Sequence, residues 1–464
     1  MLIEASAVRV VHIYRGIGES GGAVGVALSL LHQRLLRLGI DSKMLVLDDA
    51  GTGPDVSRLP RVETLSLERR IRAVTRRLGL NDIHRLGSFR LDRHTFFQNA
   101  DLVHFHGMHS GTFSYLALPR VATFRPTLLS LHDTWAFTGH CAYPGDCERW
   151  KTGCGECPSP ETDPAIARDA THLEWRLKSR AFNASGLGLV SKSAWTTRVA
   201  RVSALRHLPL TEIPYGVDTA VYRPRGKGRS RALLGLPQEL FVLLVSGSDM
   251  KERRAGQDLL ARSLRALAPD LAARCVLMVM GRGGSELGSA TGLPVRDLGY
   301  VSDDHLRAVA FSASDLYLLP TRADVFGIAS IESQACGTPV VSFRVGGVPD
   351  HVRPGETGFL AEPEDALGFR DGIALLLENE AARHRLSAGG RASVLRDFDL
   401  SLEASRHASL YEAILSGRKV GAGRPPVVPP IPLDEPRFAA RPAPRTGGSE
   451  SGTIAPVAEP AGPD

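Results

Sequence analysis

Two acids eight positions apart, Asp324 and Glu332, frame a glycine-bearing run that reads Asp324-Val325-Phe326-Gly327-Ile328-Ala329-Ser330-Ile331-Glu332. The second acid falls where a helix is expected to begin, from Ser330 onward, and Val340 to Phe343 follows as an apolar strand of buried type. In α/β domains, ligands sit beyond the carboxyl ends of the strands, where loop amides and helix N-termini receive phosphate. A carboxylate at that place accepts hydrogen bonds from the paired hydroxyls of a ribose or hexose. The layout suits the holding of a sugar nucleotide. The competing reading is two solvated acids beside an ordinary loop.

Other residues carry chemistry of their own. Cys141, Cys147, Cys154 and Cys157 cluster beside His140 and end in a C-x2-C pair, the spacing of a metal knuckle. The pattern admits a structural Zn²⁺, unligated or redox-active thiols, or disulfides, and a reducing compartment disfavours the last. Cys275 and Cys336 read as small buried residues. His104, His106 and His109 close one strand without an acid at metal-site spacing, and read as strand-end histidines lining a cleft. His132 and Asp133 close another strand and face the same rim.

Five blocks in order then resemble the retaining glycosyltransferases of GT-B architecture, family 4 in particular. They are Gly21-Gly22 after the first strand, His132 to Cys157, Ile213-Pro214-Tyr215-Gly216-Val217-Asp218, the 324–332 run, and Gly346-Gly347-Val348-Pro349-Asp350. Asp324 stands where the family has the first Glu of its E-x7-E region, and Glu332 matches the second. The resemblance implies that Glu332 holds the nucleotide ribose and that Asp324 contacts the donor sugar. Gly21, Gly22, Phe326, Gly327 and Ile328 would line the donor site, and His132 and Asp133 would complete the catalytic rim.

The family's Arg and Lys lie on the loop after the second domain's first strand. Aligned on Gly256, the Lys position is Ala255, which leaves Lys251, Arg253 and Arg254 as the cations for the diphosphate. Transfer with retention of configuration is implied, without metal in the chemistry, the departing phosphate helping to remove the acceptor proton. The acceptor would be a polysaccharide, a glycoconjugate or a lipid-linked glycan. The cysteine loop looks like that of a polysaccharide-building subgroup, where four thiolates would close the shell of a structural zinc. Two rivals stand beside this reading: a nucleotide-sugar epimerase of the same fold, and a non-catalytic sugar-nucleotide or partner-binding protein, motivated by Asp324 and Ala255.

Placing these residues requires a particular scaffold. The strand Val8 to Ile13, the Gly16–Gly25 turn, a helix stopping at Gly39 and the strand Lys43 to Leu47 form a right-handed parallel unit. Further strands are expected at Leu102–Phe105, Thr127–Leu131 and Leu187–Val190. A second series covers Phe241–Val245, Cys275–Met280, Val295–Leu298, Leu316–Leu319 and Val340–Phe343. The expected fold is α/β: two Rossmann-like domains facing across a cleft, residues 1–215 on the acceptor side and 216–417 binding the nucleotide sugar. Residues 418–464 hold 11 of the 30 prolines and read as a disordered tail.

Composition agrees with a soluble globular class: 464 residues, 43% hydrophobic and 23% charged. No apolar run nears the roughly 18 residues of a membrane span and no signal peptide is evident, so a cytoplasmic location is expected. The net charge of +6 is concentrated in part between Arg61 and His94, with nine Arg against four acids. There, within residues 66–79, Leu67, Ile71, Val74 and Leu78 recur at helical spacing among Arg69, Arg70, Arg72, Arg76 and Arg77. Such a helix either packs its apolar stripe on the domain or lies on the anionic inner face of a membrane. No nucleic-acid module accompanies the charge.

Overall fold

The computed structural model describes residues 8–48, 53–61, 65–250 and 252–418. The tail expected beyond Arg418 lies outside the described residues, as does Lys251.

Two parallel sheets organise the chain. The first contains β1 (Arg9–Tyr14), β2 (Asp41–Val46), β3 (Val56–Arg58), β4 (Leu102–Phe105), β5 (Thr127–Leu131), β6 (Gly188–Ser191) and β7 (Leu210–Glu212), in the order β3-β2-β1-β4-β5-β6-β7. The second contains β8 (Phe241–Asp249), β9 (Cys275–Arg282), β10 (Val295–Asp297), β11 (Leu316–Leu319), β12 (Val340–Phe343) and β13 (Gly358–Ala361), in the order β10-β9-β8-β11-β12-β13. The apolar strands β4, β5, β11 and β12 are buried at every position, as strands covered by helices on both faces must be. The strands that the sequence reading omitted are β3, β7 and β13. The first two are three-residue edge strands, Val-Ser-Arg and Leu-Thr-Glu, too short and polar to show a pattern.

Strand order reverses between β1 and β4, and again between β8 and β11. At such switch points neighbouring loops diverge and leave a crevice beyond the carboxyl ends. The expected site residues follow those strand ends: Gly21 and Gly22 after β1, His132 and Asp133 after β5, Arg254 after β8, Asp324 to Glu332 after β11.

A sequence split at residue 215 assigns the final helix, Leu400–Leu415, to the second domain. It packs instead on the first sheet: Ala404, Ala408 and Tyr411 join Val10, Leu102, Leu128, Val190 and Ile213 in one core. Polar groups run through this contact. Lys192, buried after β6, meets the Glu403 carboxylate at 2.9 Å, and the Gly216 amide donates to the other oxygen at 2.7 Å. His407 on the same helix hydrogen-bonds the Glu403 carbonyl, and Tyr411 Oη lies 2.8 Å from His104 Nδ1.

The basic helix, Leu65–Arg77, turns opposite to the packing expectation. Leu67, Val74 and Leu78 are 45, 56 and 46% exposed, while Glu68 and Thr75 are buried. Glu68 is held inward because it accepts the Gly87 amide at 3.2 Å and pairs with Arg85. A polar anchor sets the rotation of the helix and leaves its apolar stripe outside. No helix among the described residues is long and apolar enough to cross a membrane.

Burial holds His12 and His132 near 3 and keeps His104, His106 and His407 well below the usual imidazole value. The unfolded chain takes up these protons near pH 6.5 and the folded chain does not. Stability is therefore complete above about pH 6.5 and declines as pH falls below it, by at most about 1.4 kcal/mol per histidine per pH unit. Urea unfolding at pH 7.5 and 5.5 checks this; equal midpoints would show that the histidines are solvated.

Candidate functional site

The loop after β11 is built by its own acid. Asp324 Oδ1 accepts the amides of Phe326 and Gly327 at 3.0 and 2.9 Å, closing a tight turn. The Gly347 amide donates to the Asp324 carbonyl at 3.0 Å. Beside it, a Cβ on Gly346 would stand 1.8 Å from that carbonyl oxygen, so only glycine allows the approach. Phe326 is 1% exposed and packs on Tyr215, His351 and Phe398. Its side chain is a core wedge under the loop. Gly327, at φ +85°, caps the helix Ile328–Ala335, which begins two residues before the expected start.

Glu332 lies on that helix with its carboxylate paired to Arg307, whose Nε also donates to Tyr222 Oη at 3.1 Å. Burial works against the Arg307 charge, yet Glu332 and Tyr222 hold its pKa well above the ordinary value. Sequence reasoning missed Arg307. A buried carboxylate requires a cation, but nothing in the spacing says which arginine supplies it.

The loop after β8 delivers one of its candidate cations to this place. Arg254 Nη1 donates to the Ala323 carbonyl at 3.3 Å, Nη2 pairs with Glu252 at 3.2 Å, and the guanidinium lies over the Tyr143 ring at 5.0 Å. Burial works to lower the Arg254 pKa; Tyr143, Asp324 and Glu252 together raise it beyond its usual value. Arg253 is exposed and offers its carbonyl to Arg322. Arg322, another residue the sequence did not single out, grips Asp258 with both Nη atoms at 2.7 Å and reaches Glu364 at 2.7 Å, fixing the loop to the domain.

On the opposite rim, Gly21 starts the helix Gly22–Arg37, and a Cβ on it would lie 2.2 Å from the Gly16 carbonyl oxygen. Asp133 meets His109 at 2.8 Å and accepts the Trp135 amide. Burial by itself would raise the Asp133 carboxyl, but the His109 charge and hydrogen bond bring it below the ordinary value. His132 has both nitrogens engaged, Nδ1 by Tyr215 Oη and Nε2 by His106 at 3.2 Å. Tyr143 responds to Asp324, Arg254 and Asp133 together, and Tyr317 to both Glu332 and Asp324. The two rims thus meet at Tyr143.

The cysteine loop stands apart. Burial pushes the Cys141 thiol up to about 11 and Cys154 up to about 12. The Gly139 amide donates to Cys154 Sγ at 3.1 Å, and His140 Nε2 lies 3.2 Å from Cys157 Sγ. Among the described residues, the metal-ligand atoms that gather within 4.8 Å of one another are those of His12, His104 and His106. The histidine trio is spent on hydrogen bonds: His104 on Tyr411 and Ser130, His12 on His106.

Comparison with known proteins shows what this chain resembles. Residues 241–379 match the family model for Glycosyl transferases group 1. The D-inositol 3-phosphate glycosyltransferase 1 of Catenulispora acidiphila is 34% identical over 224 residues, 45% of this chain and 52% of the relative. The Nocardioides sp. D-inositol 3-phosphate glycosyltransferase is 35% identical over 195 residues, 38 and 42% of the two chains. This chain spans about half the length of the curated relatives it matches. The fold is shared with sucrose-phosphate synthase from Thermosynechococcus elongatus (TM-score 0.66, 20% identity, 88% of this chain and 100% of that one). It is also that of Anabaena HepE, solved with UDP and glucose (TM-score 0.62, 17% identity, 88 and 100% covered). The two-domain GT-B architecture is therefore the fold of this chain.

Asp324→Ala should release the loop it closes. The Phe326 and Gly327 amides would lose a charged acceptor, and hydrogen exchange at both should quicken about tenfold. Unchanged exchange would mean that the turn holds without the carboxylate.

Proposed function

We propose that this chain transfers a glycosyl group, with retention of configuration, from a nucleotide sugar to an acceptor hydroxyl. The observation that carries the reading is the convergence of Arg254, Asp324 and the Glu332–Arg307 pair beyond the carboxyl ends of β8 and β11. Arg254 suits a leaving diphosphate, since its fork grips two oxygens and its neighbours keep it charged. Glu332 suits the ribose hydroxyls, and Asp324, through the loop it closes, the donor sugar. Catalysis would come from positioning and from cations set against developing phosphate charge, with no metal in the chemistry. Residues up to 215 would form the acceptor side and the next domain the donor side, the final helix returning to the former.

The names of the curated relatives support a phosphorylated polyol such as inositol phosphate as acceptor. A glycan or lipid-linked glycan is the second choice, supported by the resemblance of the cysteine loop. A structural zinc held by Cys141, Cys147, Cys154 and Cys157 stays in the proposal, supported by the C-x2-C spacing and the resemblance of their loop. UDP-glucose, UDP-N-acetylglucosamine and GDP-mannose, each with and without inositol phosphate, should give nucleoside diphosphate only in a matched pair. Conversion of donor without acceptor would favour the epimerase, and binding without turnover the non-catalytic rival. Glu332→Gln should weaken nucleotide affinity by about 1.5–3 kcal/mol. Affinity within twofold of the parent, by calorimetry, would remove the ribose assignment.

The same proposal seats the protein on anionic lipid. The outward stripe of Leu67, Val74 and Leu78 lies among exposed Arg69, Arg70, Arg72, Arg76 and Arg77, and each cation near such a surface contributes about 1 kcal/mol. Sedimentation should show binding to phosphatidylserine-containing vesicles and none to neutral ones, with loss when the five arginines become alanine. Equal binding by the parent and the variant would place the contact elsewhere.

A further inference from the structure

Four side chains form an unbroken row from the interior of the first domain to the seam with the second. His12 Nδ1 lies 2.9 Å from His106 Nε2, His106 Nδ1 lies 3.2 Å from His132 Nε2, and His132 Nδ1 meets the Tyr215 hydroxyl. Burial keeps all three imidazoles neutral near pH 7, so each ring has one N–H and one lone pair. With the phenol, the row holds four exchangeable protons for three hydrogen bonds. One proton is left over, and it must sit at one end.

The ends are not equal. At the inner end the surplus proton would be His12 Nε2–H, which is buried without a partner and faces the repulsive charge of Lys192. An orphaned N–H there costs its full desolvation. At the outer end it would be the Tyr215 O–H, which lies under the negative fields of Glu403 and Asp324. The Tyr215 ring is braced at this seam by Phe326, with centroids 5.6 Å apart, and by Lys192 Nζ at 4.8 Å.

We propose that the row is polarised outward, with His12, His106 and His132 all in the Nδ1–H form, so that Tyr215 turns its hydroxyl proton to the cleft as a donor to a sugar or phosphate oxygen. His132 then acts through Tyr215 and is a positioning residue, having no free nitrogen for a substrate. The identity of the oxygen rests on the proposed glycosyl transfer; the polarity of the row does not.

Two measurements on the full chain test this. Nitrogen-15 NMR of labelled histidines should show Nδ1–H at positions 12, 106 and 132, and an Nε2–H form at any of them overturns the proposal. Tyr215→Phe keeps the ring contacts and removes only the hydroxyl. The three histidine signals should then shift together, and kcat/KM with UDP-glucose, or whichever nucleotide sugar the parent turns over, should fall about tenfold at unchanged Tm. Undiminished kcat/KM, or a shift of His132 alone, counts against it. If the variant does not fold, the tautomers of the parent decide. Absence of transfer in the parent defeats the proposed function and leaves the tautomers to judge the row.

Discussion

The buried carboxylate of Glu403 joins three parts of the chain that lie far apart in sequence. One oxygen takes Lys192 from the end of β6, the other takes the amide of Gly216 in the crossover, and the residue itself belongs to the final helix. Removing either charge would leave the other buried and unpaired, at a cost of about 3–5 kcal/mol. The crossover therefore cannot wander, and Tyr215, one residue before Gly216, is held against both His132 and Phe326. Through that constraint the rim of one domain and the 324–332 loop of the other share a common reference.

The scaffold was legible because parallel strands are written in unbroken apolar runs. Leu102–Phe105, Thr127–Leu131, Leu316–Leu319 and Val340–Phe343 have the same bounds in sequence and structure, and the Asp324–Glu332 spacing puts one acid on a turn and the other on a helix. Edge strands such as Val56–Arg58 escaped because half-exposed three-residue segments carry no period. The final helix escaped for another reason. Its place follows from partners far off in sequence, Lys192 for Glu403 and His104 for Tyr411, which spacing along the chain does not record.

Partners were the illegible part of the site. Asp324, Glu332 and Arg254 could be named from position, yet Arg307, Arg322 and Tyr215 act through pairings across 25 to 83 residues, and spacing records no such distance. The basic helix shows the same limit. Its heptad-like stripe reads as core, and one buried acid, Glu68, rotates it outward. A single polar residue with a fixed partner outweighs several leucine-sized residues, because an unpaired buried carboxylate costs more than an exposed apolar side chain.

Charge in the cleft follows from these pairings. Glu332 is answered by Arg307 and Asp133 by His109, so each acid has its partner. Asp324 is turned into its own loop and satisfied by two amides. Arg254 remains with Glu252, a half-exposed partner, in a pair that solvent screens and an incoming phosphate can outcompete. Each of these acids thus has a partner within the protein, Asp324 keeping its negative field on Tyr143 and Arg254, while Arg254 is held only loosely. Under the proposed glycosyl transfer, a site so arranged would favour an anionic donor and take up new negative charge with little rearrangement, which is the electrostatic condition that departure of a phosphate group requires.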